Sequence, residues 1–355
     1  MSLRALVILA AALGLAACDA LVDKSDPHTV PSGVVTIYST TDTEIFAPVI
    51  ADFKEVQPQV QIHYVELDAQ PLNQRYLAET AAGQNRADIL LSAAMDLQVK
   101  LVNDGYAQPH RSANGKALPS WARWRDEIFG LTFEPVVMVV NQDAMKGRTV
   151  PASRFELAQA LRHDPAFWHG RIGTYDVKSS STGYLLATQD ARLSSEFGPL
   201  VQAMGRAHVV TYQNSSPLLK DVESGKLLLG YNVLGSYAKQ RVAAGGRLRV
   251  VYPEDYTLAV IRAAFISKQA PNPAGAHAFL EYLLSLRGQR VLSTRSNLDA
   301  AREEIRSPYG KLGIAGTAIG PLRPIPLGPG LLTYLDRQKR ERFLENWQAM
   351  LDKHG

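Results

Sequence analysis

Short apolar runs that end abruptly in Ser or Thr and then turn helical recur four times in this chain, at Ser39, Ser92, Ser180 and Ser215. The richest of them, Gly173 to Asp190 (GTYDVKSSSTGYLLATQD), has four consecutive hydroxyls, then Gly183, then helical spacing from Tyr184 onward. A strand that enters a helix at such an elbow gathers backbone N–H groups without intrahelical acceptors at the positive end of the helix dipole. Gly183 lets a ligand approach that backbone closely. Such a turn holds an anion without a basic side chain. Any one of these turns is equally well read as a plain N-cap, and at least one of the four is expected to be no more than that. The repetition carries the argument.

Strands alternating with helices at this spacing predict an α/β fold with mostly parallel sheets, in which ligands bind beyond the carboxyl ends of the strands. Val34 to Tyr38 is the first buried strand, and the helix after it presents Ile45, Phe46, Val49, Ile50, Phe53 and Val56 on one face. Two long apolar stretches, Phe129 to Asn141 and Leu258 to Ile266, lead out to a second set of α/β units and back. The expected partition is 33–138 plus 257–355 in one lobe and 139–256 in the other, with two hydroxyl turns in each. Pro217 is expected to open a helix closed by Gly225, and Gly330 to Leu351 to form a long terminal helix. Two lobes that bring such turns together would share one ligand between them.

The 355 residues, 46% hydrophobic and 20% charged, suffice for two domains. Arg4 followed by the apolar run Ala5 to Ala17 is too short to span a bilayer and reads as a signal peptide (1–17). Cys18, the only cysteine, follows Leu15-Ala16-Ala17 and resembles the lipidated cysteine of bacterial lipoproteins; residues 18–32 then form a tether. Removing residues 1–17 takes away only Arg4, so the net charge falls from +4 to +3. That charge is compatible with an anionic ligand, and no basic stripe marks a nucleic-acid surface. The chain has no H-E-x-x-H, Walker A or G-x-S-x-G motif. Ser236-Tyr237-Ala238-Lys239 matches S-x-x-K but lacks the partner motifs of that enzyme class, so a periplasmic serine hydrolase using Ser236 and Lys239 is a minor alternative.

The order of a signal sequence, Leu-Ala-Ala-Cys, VVTIYSTTD, RADILLSAA, FGLTFEPVVMVVN, GTYDVKSSSTGYLLATQD, LLLGYNVLGSYA and PNPAGAHAFLEYLLSLRGQ resembles the extracellular solute-binding proteins of bacterial ABC importers. It is similar to the group that includes ferric-ion binders and their relatives for sugar phosphates, phosphoglycerate and phosphonates. The resemblance implies a two-lobed periplasmic-binding fold of type 2 with crossover strands, no catalysis, no cofactor, a monomer, and delivery to an ABC permease or presentation to a membrane sensor kinase. Ferric members carry adjacent tyrosines on the loop after the strand matching LLLG, whereas Tyr231 here is followed by Asn232. Iron is therefore the alternative, and a small anionic, phosphorylated solute is the expectation. Candidate ligand residues are Ser39, Thr40, Thr41, Ser92, Ser180, Ser181, Thr182, Gly183, Tyr184, Ser215, Tyr231, Asn232 and Asp255, with lipidation at Cys18 and no metal site.

Overall fold

In the computed structural model, residues 31–305 and 320–352 are described; the expected signal peptide and Cys18 lie outside them. Two seven-stranded sheets divide the chain. In the first, the parallel strands Val60–Glu66, Gly33–Ser39 and Ile89–Ser92 are continued by Ala263–Ser267, which runs antiparallel to its neighbours. The second runs from Leu322–Pro324 through Thr257–Val260, Glu134–Asn141, Leu229–Leu234 and Ile172–Tyr175 to Val210–Tyr212. Both sheets are mixed, where mostly parallel ones are expected, because strands arriving from the other lobe enter from the opposite end.

The two lobes are joined by a paired ribbon. Ala263 pairs with Gly130 in the first sheet, and Val260 pairs with Glu134 in the second, so the chain crosses at 131–133 and again at 261–262. The expected boundaries at 138/139 and 256/257 therefore move. The apolar runs are buried on both sides of the crossing, so hydrophobicity alone does not mark it. The C-terminal assignment also changes. Leu322–Pro324 adds to the second sheet beside Thr257–Ala259, and the helix Arg337–Asp352 packs Trp347 and Phe343 against Phe197 of that lobe. This helix starts at Arg337, not Gly330, because Gly328 to Leu332 forms a tight turn first.

Local chemistry explains the elements. Thr43–Val56 buries Ile45, Phe46, Val49 and Phe53 under the first sheet, while Val56, at the end of the expected stripe, is exposed. Phe53 meets Phe279 edge to face at 4.7 Å, tying this helix to Pro273–Leu284, which Pro273 opens and the Asn272 side chain caps. The helix Ser215–Glu223 begins two residues before Pro217 and ends ahead of Gly225, whose φ of +79° suits glycine. Pro217 is tolerated within the first turn because its missing N–H would have had no intrahelical acceptor there.

Candidate functional site

All four hydroxyl turns reach one cavity of about 400 Å³ between the two sheets. Thr40 and Ala93 line it from the first lobe; Ser179 to Thr182 and Gln213 to Pro217 line it from the second. Two of its walls are helix starts. Ser181–Leu193 is capped by the Ser180 hydroxyl, which accepts from the Gly183 N–H at 3.1 Å, so this turn does perform the plain capping role as well. The N–H groups of Ser181 and Thr182 have no intrahelical acceptor. Beside them the Ser181 Oγ is buried without a hydrogen-bond partner among the described residues. The second helix, Ser215–Glu223, has no side-chain cap at all: Asn214 stands at the N-cap position, yet its amide donates to Asp68 of the first lobe at 3.2 Å. An uncapped helix end in a polar cavity is what an incoming oxyanion satisfies.

The remaining expected residues sort into those that support the cavity and those that lie away from it. Ser39, Thr41 and Ser92 do not line the cavity but build its floor. The Ser39 hydroxyl accepts from the Thr41 N–H and from Tyr64, and Ser92 accepts from Thr40 and from the Ala94 N–H. Thr41 accepts from the Arg262 guanidinium at 2.7 Å. Gly183 faces away from the cleft, toward the strand behind it: a Cβ there would stand 2.4 Å from the Tyr175 Cβ. Gly183→Ala is therefore expected to destabilise the protein by about 1–3 kcal/mol through overpacking and to disturb Tyr175, a cavity wall; a urea melt checks the first and ligand titration the second.

Tyr184, Tyr231, Asn232 and Asp255 do not line this cavity. Tyr184 donates to the Tyr334 carbonyl and packs on Phe343 at the rear. The other three belong to a network centred on Arg154, which is fully buried, and its partner Asp190. Its guanidinium meets the Asp190 carboxylate at 3.0 Å, Asp255 at 3.1 Å and the Tyr231 hydroxyl at 2.9 Å. Asp190 accepts in turn from Tyr231, Tyr256 and Asn232. This network fixes the helix Ser181–Leu193 from its far end. Asn232 sits at φ +59°, where the strand register shifts between Gly230 and Val233, and that bulge turns it to Asp190.

Sequence reasoning missed other lining groups: Asp42, Glu66, Asp68, Gln213, Tyr175, Tyr237 and Arg262. Arg262 lies within the apolar crossover run, and its buried guanidinium pairs with Glu134 at 2.7 Å. A charged residue in the otherwise apolar run Leu258 to Ile266 is the available signal. Tyr237 reaches across from the second lobe to donate to Asp42 at 2.6 Å. Burial pushes the Tyr175 phenol up to about 12, and the Tyr237 phenol is likewise raised, chiefly by burial. Ser236 and Lys239 are outside the cavity: Ser236 donates to Glu134, and Lys239 holds Asp299. The His208 ring lies 4.3 Å from that of His169, tilted by 50°, also outside it.

Two α/β lobes joined by a crossover ribbon over a polar cleft define a solute-binding architecture. Residues 35–295 match the family model described as bacterial extracellular solute-binding protein, and the chain belongs to that family. The substrate-binding protein of an ABC transporter from Agrobacterium tumefaciens is 35% identical over 92% of this chain and 95% of its own, with a TM-score of 0.85. AfuA of Actinobacillus pleuropneumoniae, a periplasmic binding protein with fructose-6-phosphate bound, shares the fold at a TM-score of 0.75 and 16% identity, over 90% of this chain and 99% of its own. Iron-bound HitA of Pseudomonas aeruginosa does so at 0.68 and 18%, over 89% and 99%. No curated protein matches the sequence. Solute-binding proteins of this kind deliver solute to a membrane permease, and the family is extracellular; no helix among the described residues is long and apolar enough to cross a membrane.

Proposed function

We propose that this chain captures a small anionic organic solute, with a phosphoryl group as its anion, and that closure of the two lobes traps the solute for an ABC permease. The observation that carries this is the meeting of two helix N-termini, one of them uncapped, in the inter-lobe cavity. Backbone N–H groups and hydroxyls of this kind suit phosphoryl oxygens. Binding without catalysis fits the same geometry, since Ser236 and Lys239 are buried in other hydrogen bonds. We place the protein in the periplasm as a monomer, anchored by lipid at Cys18.

The ferric alternative is weaker on two counts. Tyr38, Tyr184, Tyr231 and Tyr256 all donate to protein acceptors outside the cavity. Burial raises the phenols that do line it, Tyr175 and Tyr237, which disfavours the anionic oxygens that a hard trivalent cation needs. A thermal-shift panel of sugar phosphates, phosphoglycerate, phosphonates, citrate and ferric ion tests the proposal. The expected result is stabilisation by a phosphate ester that disappears in Thr182→Ala combined with Ser215→Ala. A visible tyrosinate-to-iron band with no response to phosphate esters would overturn it.

A further inference from the structure

Two of the helices that start at the cleft lack a cap that other helices of this molecule make in one consistent way. Ser112, Ser153, Asp164, Ser180, Asn272 and Ser285 each stand before a helix, and each accepts through its side chain from the N–H of the third helical residue. Asp68 and Asn214 hold the same position before Ala69–Ala81 and Ser215–Glu223, with the extended backbone that a cap needs, yet neither makes a cap bond. Asp and Asn cap helices as well as Ser does, so residue type is not the reason. The third helical residue is: Pro71 in one helix and Pro217 in the other. Proline has no N–H, so both helices lack the donor that every one of those caps uses.

The two side chains released in this way meet each other. The Asn214 amide, on the second lobe, donates to the Asp68 carboxylate of the first at 3.2 Å. Both residues line the inter-lobe cavity and both are exposed, so this bond spans the cleft at its rim. Tyr237 makes a second crossing bond, to Asp42, which also leaves its own helix uncapped. There the third residue is Ile45, whose N–H goes to the Asp42 carbonyl, so the prolines belong to the rim pair alone. Asp68 keeps its charge at the start of Ala69–Ala81, where it still offsets the helix dipole. Turning its carboxylate toward Asn214 therefore forgoes only a bond that Pro71 had already removed.

We infer that Pro71 and Pro217 build an inter-lobe latch: by denying Asp68 and Asn214 a cap on their own helices, they leave the two side chains to bind each other and bias the unliganded lobes toward closure. The same arrangement keeps the start of Ser215–Glu223 free for whatever the cleft holds. Asp68 and Asn214 are positioning residues here, and the inference does not depend on the chemistry of the solute.

Pulsed electron–electron double resonance on the unliganded protein tests it. Cys18→Ser removes the native thiol, and spin labels go on Lys54→Cys and Lys220→Cys, exposed positions on the two lobes. This reference protein should populate a short label separation. Pro71→Ala combined with Pro217→Ala restores both N–H groups, so Asp68 and Asn214 turn back to their own helices. The ratio of short to long separations should then fall about 3- to 10-fold, the worth of one hydrogen bond. Asp68→Ala removes the latch without touching either proline, and serves equally if the proline pair does not fold. It should produce the same fall, and add nothing when combined with the proline pair. A proline pair that folds and leaves the distribution unchanged, an Asp68→Ala without effect, or additive effects of the two would overturn the inference. So would a reference protein found only at the long separation.

Discussion

Thr182→Asp is expected to weaken binding of a phosphate ester by at least about 100-fold, because a carboxylate at this wall meets the incoming oxyanion as a like charge. Thr182 is the second residue of the helix Ser181–Leu193, in the first turn, where an acidic side chain favours the helix dipole by about 0.3–1 kcal/mol. Binding and folding should therefore move in opposite directions. Ser216→Asp, at the equivalent place in the helix Ser215–Glu223, should do the same from the neighbouring wall. Calorimetric titration reads the first effect and differential scanning calorimetry the second. If these helix starts were merely structural, the substitutions would leave affinity unchanged.

Asp190→Ala should cost about 3–5 kcal/mol of stability, the usual consequence of removing one partner from a buried ion pair. Arg154 would keep its charge at a fully buried position with only the partly exposed Asp255 opposite, and the Tyr231 and Tyr256 hydroxyls and the Asn232 amide would all lose their acceptor. Because Asp190 lies on the helix whose start forms the cavity wall, the loss should also loosen the site. Urea denaturation checks the stability change, and a shift in midpoint too small to measure would mean the network is dispensable. Replacing Arg154 and Asp190 together by apolar residues should cost less than Asp190→Ala alone, since the double change leaves no unpaired buried charge.

The hydroxyl turns were legible because strand ends and helix starts leave local marks: an apolar run, a cluster of Ser and Thr, a glycine. All four reach the same cavity, though at Ser39 and Ser92 it is the neighbours Thr40 and Ala93 that line it. A fifth turn contributes as much and was missed. Val60–Glu66 passes through Leu67 and Asp68 into the helix Ala69–Ala81 with carboxylates where the others carry hydroxyls, so the same search passes over it. Tyr184, Tyr231, Asn232 and Asp255 lie away from this cavity for the converse reason. They sit close in sequence to elements that face the cleft, but the turn of a helix and a bulge in a strand direct them to the rear. Lobe membership at 134–138 and 257–260 depended on strand pairing between residues more than a hundred positions apart, which no local pattern encodes.

A crystal structure of the protein with a bound phosphate ester tests the central claim most directly. The account predicts the phosphoryl oxygens within hydrogen-bond reach of both the Ser181–Thr182 backbone and Ser215, with Thr40 and Arg262 on the facing side. A saturably bound ester found elsewhere on the protein, or in the cleft without contact to either helix start, would contradict it.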